Sequence, residues 1–171
     1  MQGATQQSLP TSSKLKTSVH LYGATVTAFY AAQEPERNVL FLSEKALLDG
    51  SKPIRGGIPL VFPVFGAAEG FPNHDFARVN HWKLSQLDQT VGDDNSPTVA
   101  TFSLDVTDEM KAMYPHDFAL VYEVKLFANA LATAIHIQSK SEGEIAFQVM
   151  DAAHVLVMSV LEVSLWKVLK A

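Results

Sequence analysis

The sequence predicts an all-β protein, an antiparallel sandwich or barrel, and three observations carry that expectation. Short runs of alternating apolar and polar residues recur along the chain. Turn-forming clusters separate them roughly every 8 to 12 residues. No stretch sustains the period of a long helix, and no internal repeat is evident.

The 171 residues suit one domain with a sizeable core. A hydrophobic share of 47% against a charged share of 18% is globular rather than disordered. Residues 1–17 are polar and rich in Ser, Thr and Gln, so they are expected to form a loose lead-in. The sandwich itself is expected over 18–148. Strand-like runs fall at 18–22, 24–30 and 38–42, with Gly23 and the Glu34-Pro35-Glu36-Arg37 turn between them. Residues 46–51 read as a small turn.

The segment 53–80 carries four prolines and four glycines yet stays apolar. Proline removes ladder donors and glycine weakens strands, so regular sheet is excluded. A buried, structured loop of the kind that carries sites is expected instead. Strand signals resume at 82–87 and 98–106, joined by a polar turn containing Asp93 and Asp94. Residues 107–113 suggest a short helix with Thr107 as N-cap and acids in its first turn. A hairpin follows, with strands at 118–127 and 130–138 about Ala128-Asn129. A further strand begins at Ile145. The tail, 149–171, is apolar and mixes strand and helix signals.

The formal net charge of −5 argues against broad nucleic-acid binding but leaves room for a small anion held by two or three local cations. With no cysteine, disulfide and thiolate chemistry are excluded and a reducing, cytoplasmic setting is expected. Residues 1–13 lack the basic and apolar regions of a secretory signal. Asp151, His154, Glu162 and Lys167 interrupt the apolar tail, short of the roughly 18 uncharged residues of a membrane span. No His or Cys cluster has metal-ligand spacing, and no glycine-rich nucleotide loop is present, so neither metal nor cofactor is expected. His20, His116 and His136 lie in or beside strand patterns and read as half-buried or exposed structural residues.

Arg55-Gly56-Gly57-Ile58-Pro59-Leu60-Val61-Phe62-Pro63, followed by His74-Asp75-Phe76-Ala77-Arg78 and then Trp82, resembles the paired motif of glucose-6-phosphate 1-epimerases. Tyr114-Pro115-His116-Asp117-Phe118, ahead of the strand bearing Tyr122, is similar to that family's next landmark. The resemblance runs from about Ser18 to Gln148 and implies a β-sandwich of the galactose mutarotase-like, or supersandwich, type. It also implies a small-molecule partner, a hexose 6-phosphate whose α and β anomers are interconverted, and no cofactor.

A 6-phosphate needs a fixed cationic clamp. Arg55 and Arg78 suit that task, because a planar guanidinium stays charged and binds phosphate oxygens bidentately. A lone arginine is more often a solvated surface charge; the paired motif singles these two out. Gly56-Gly57 would let the backbone approach a ligand beside Arg55. By the resemblance, Arg55, Asn73 and Arg78 are substrate-binding positions, with Asn73 where glutamine is common, and His74 lines the sugar site. Asp75 departs from the family's glycine, and its carboxylate would oppose a phosphate if it pointed inward.

The resemblance assigns the general acid to a histidine on a later strand and the general base to a glutamate in a longer chain. His154 does not match by spacing, and no position here corresponds to the glutamate. The chain is thus expected to be an incomplete sandwich, shortened by a frameshift or alternative splicing. It would either bind without catalysis or be unproductive, and its uncovered sheet edges would favour self-association.

Overall fold

A computed structural model describes residues 16–64, 76–88, 96–127 and 129–140, with the backbone of 6–10 and 150–151. Among the described residues, the architecture consists of three antiparallel sheets. The first joins β1 (Gln6–Pro10), β2 (Lys16–His20) and β3 (Thr25–Tyr30) in that order. The second pairs β4 (Leu60–Val61) with β9 (Met150–Asp151). The third has the order β5-β6-β7-β8, formed by Trp82–Asp88, Thr98–Leu104, Phe118–Leu126 and Leu131–Ser139.

The period-two pattern explains the large sheet. In β6 and β7 every second side chain is buried, which sends Ala100, Phe102 and Leu104 inward beside Leu120, Tyr122 and Val124. Register places Phe102 against Tyr122 and Tyr122 against Ile135, so one inward row crosses three strands. The hairpin at 127–130 closes with Phe127 N donating to Ala130 O at 2.8 Å. The expected helix is α1 (Asp108–Met113); Thr107 caps it, its hydroxyl accepting from Met110 N at 3.3 Å.

Val19, Ala24, Val26 and Phe29 of the first sheet and its turn pack in one apolar cluster with Phe102, Leu120 and Tyr122 of the third. That shared core joins the sheets.

Three expectations need correction. The lead-in is not loose throughout, because Gln6–Pro10 pairs residue by residue with Lys16–His20. A strand edge recruits backbone, so this polar segment pairs without an apolar pattern of its own. The segment 38–42 is no regular strand either. The Asn38 side chain accepts from Phe29 N at 2.9 Å and from Leu40 N at 3.1 Å, and donates to Thr27 O at 3.2 Å. Side-chain bonds there take backbone groups that a ladder would use. Finally, Met150–Asp151 pairs with Leu60–Val61, so a piece of the expected tail belongs to the sheet structure.

The turn at Asp93-Asp94 and the strand expected from Ile145 lie outside the described residues. Among the described residues, no helix is long and apolar enough to cross a membrane.

Candidate functional site

The two motif blocks are loops, and each is fixed by a short segment of β3 and the turn before it. In the first block, Ile58 N donates to Val26 O at 2.9 Å and Val26 N donates back to Ile58 O at 3.3 Å. Gly57 has φ +68, and a Cβ there would lie 2.2 Å from Val26 O. Gly56 has φ +104, and its Cβ would lie 2.5 Å from Phe41 O. Both positions therefore require glycine for contact with protein backbone. The sequence reading gave the pair to close approach by a ligand; the structure shows that β3 and the 41–42 segment occupy that space.

In the second block, Phe76 and Ala77 are buried and Arg78 is half-buried in a 3-10 turn, Ala77–Val79. Trp82 Nε1 donates to Ala77 O at 2.8 Å, and Asn80 Nδ2 donates to Phe76 O at 2.9 Å. Gly23 N donates to Asn80 O at 2.8 Å, and a Cβ on Gly23 would fall 2.5 Å from Arg78 O. Ala77 N reaches Phe62 O at 3.4 Å, which links the two blocks directly.

Aromatic packing locks both blocks to the third landmark. The Phe62 ring lies 5.8 Å from Phe76, 5.8 Å from Tyr114 and 5.3 Å from Phe118. Phe76 stacks on Phe118 at 6.0 Å. Such contacts add to the burial of large apolar rings. The buried, structured segment expected over 53–80 is present in its described parts, except that Leu60–Val61 pairs as a short strand where sheet was excluded.

Arg55 and Arg78 differ in setting. Arg55 is exposed, with its carbonyl accepting from Ser43 N at 3.0 Å. Burial pushes the Arg78 guanidinium below its usual range, and the Tyr22 side chain pushes it back up. Burial in turn raises the Tyr22 phenol, opposed by the Arg78 charge and aided by Asp49. The Tyr22 ring packs on His81 at 5.3 Å. Asn73, His74 and Asp75 lie outside the described residues.

Sequence reasoning missed Tyr22 as a charge neighbour of Arg78, with His81 and Asp49 beside Tyr22. The available signal was Tyr22-Gly23-Ala24: Gly23 and Ala24 both take positive φ, +75 and +44, in the tight turn before β3. His20 also corrects the reading that it is half-buried or exposed, since it is 2% exposed. Its Nε2 bonds Leu48 O at 3.0 Å, and its Nδ1 accepts from Tyr22 N at 3.3 Å. Burial lowers its pKa, so the ring sits neutral. His116 and His136 hold structural places: the first packs on Tyr114 at 4.6 Å, and the second is exposed near Glu123. Among the described residues, no cluster of His, Asp or Glu could hold a metal ion.

Antiparallel sheets around one shared core, with these glycine-seated segments between them, make a fold like that of galactose mutarotase-like proteins. The crystal structure of a Salmonella typhimurium protein titled "putative mutarotase (YeaD)" superposes with a TM-score of 0.63 at 29% identity, covering 74% of this chain and 41% of that one. A galactose mutarotase-like protein from Lactobacillus casei matches the fold with a TM-score of 0.62 at 15% identity, over 85% of this chain and 48% of that one.

Residues 6–155 match the aldose 1-epimerase family model, and the chain belongs to that family. The match includes β1 and extends past residue 148, so the family pattern is wider than 18–148 at both ends. The chain is 33% identical over 143 residues to an Escherichia coli (strain K12) protein described as "Putative glucose-6-phosphate 1-epimerase". That alignment covers 82% of this chain and 44% of the relative. A Salmonella typhimurium protein of the same description is 32% identical over 154 residues, 84% of this chain and 49% of the relative. The chain thus spans about half the length of the curated relatives it matches.

Proposed function

We propose that the protein acts on a hexose 6-phosphate as a mutarotase, interconverting the α and β anomers of glucose 6-phosphate. One observation carries the reading: Gly57 seats on Val26 and the Arg78 backbone seats on Gly23, three residues apart in the chain. Three residues of chain span at most about 11 Å, so the loops that bear the two arginines hang from one short segment. Arg55 and Arg78 take the phosphate, Asn73 assists, and His74 lines the sugar site.

In the reaction, a base removes the anomeric hydroxyl proton while an acid protonates the ring oxygen. The bond from the anomeric carbon to the ring oxygen breaks, and an open-chain aldehyde forms. Rotation about the adjacent carbon–carbon bond and reclosure give the other anomer, with the protons returned. Neither metal nor cofactor enters this chemistry. The lack of cysteine suits a cytoplasmic setting.

Anomeric exchange of glucose 6-phosphate followed by NMR tests the proposal. Exchange faster than buffer supports it, and a rate equal to buffer alone removes catalysis for this chain. A second reading, binding without turnover, is supported by the sequence reading that His154 does not match by spacing the histidine to which the resemblance assigns the general acid. Calorimetric binding that is lost in Arg78→Ala, without exchange, is its signature.

A further inference from the structure

Phe41 is 62% exposed, more than any other large apolar side chain among the described residues. Its placement follows from a local ladder. Ser43 N donates to Arg55 O at 3.0 Å and Gly57 N donates to Phe41 O at 2.7 Å, which makes Leu42 and Gly56 an antiparallel bridge. Ser43 then lies opposite Arg55, and Phe41 lies opposite Gly57.

This bridge sets the 41–43 segment directly beside 55–57. Leu40, Ile54 and Ile58 beside it are buried, at 5%, 5% and 0% exposure. Phe41 and Arg55 therefore flank one bridge, and both are exposed.

We propose that Phe41 is a sugar-binding residue, its ring receiving the apolar C–H face of the hexose whose phosphate Arg55 holds. The chemistry suits the pair. A hexose 6-phosphate carries a dianion at one end and a face of ring C–H groups at the other. An exposed ring beside a permanent cation matches both halves. The inference rests on the reading of Arg55 as a phosphate ligand, and it adds the part of the site that distinguishes a sugar phosphate from phosphate alone.

The test uses the full chain and two probes, glucose 6-phosphate and inorganic phosphate, titrated by calorimetry. Phe41→Ala is expected to raise the Kd for glucose 6-phosphate about three- to tenfold and to leave that for inorganic phosphate unchanged. Phe41→Tyr is expected to retain wild-type binding. Because the ring is exposed, the thermal midpoint of Phe41→Ala should match the parent and confirm that folding is intact. Unchanged sugar-phosphate binding in Phe41→Ala, with both ligands weakened in Arg55→Ala, overturns this inference and leaves the phosphate reading standing. If Arg55→Ala weakens neither ligand, or if the unmodified chain binds neither, the phosphate reading itself falls and this inference with it.

Discussion

Gly57 lies so close to Val26 that a single added carbon would stand 2.2 Å from the Val26 carbonyl oxygen. The oxygen cannot retreat, because it accepts from Ile58 N at 2.9 Å. Gly57→Ala is therefore expected to destabilise the fold by about 2 kcal/mol or more, combining a clash with a strained positive φ. Chemical denaturation measures the change; an unaltered midpoint would mean that the first motif block is not seated on β3.

Arg78 should answer differently from Arg55. It is half-buried beside Tyr22, whereas Arg55 is exposed. Arg78→Ala is expected to weaken hexose 6-phosphate binding by about 2 kcal/mol, the scale of a hydrogen bond to a charged group. Arg78→Lys, which keeps the charge but loses the planar fork, should recover only part of it. Full recovery by lysine would show that charge alone suffices.

His20 makes stability depend on pH. Its folded pKa is lowered from 6.5 by burial, so the unfolded chain binds the proton more readily. The contribution of the neutral ring is complete above about pH 6.5 and is lost as pH falls toward the depressed folded value. Protonation would cost the ring its acceptor role toward Tyr22 N. Thermal midpoints measured from pH 7.5 to pH 5 should fall more steeply for the parent chain than for His20→Gln. Parallel slopes would remove His20 as the cause.

Phe62 is fully buried and touches Phe76 of the second block and both Tyr114 and Phe118 of the third landmark. Phe62→Ala should cost about 3–5 kcal/mol, the transfer and cavity terms together. Equilibrium unfolding gives the value, and a loss below about 1 kcal/mol would show that the cluster collapses around the gap.

Much of the fold was legible because burial writes itself into sequence with a fixed period. β6, β7 and the hairpin to β8 lie within a residue or two of where alternation placed them, and Thr107 caps α1 as its position suggested. The lead-in and the 38–42 segment were misread for a shared reason. Strand β1 exists because an open edge accepts its backbone, and Asn38 breaks a ladder by bonding residues about ten positions away. Neither interaction leaves a periodic mark.

The motif arginines were singled out by the resemblance to a paired family motif, and guanidinium chemistry says only what such a group can hold. Sequence by itself thus determined the sheet-rich class and offered the candidate cations. Tertiary structure alone decided why Gly56 and Gly57 are needed: backbone from Phe41 and Val26, distant in the chain, lies where a side chain would be. It also decided that His20 is neutral and that Tyr22 faces Arg78. Burial and electrostatic neighbours are properties of packing between segments, and no local pattern encodes them.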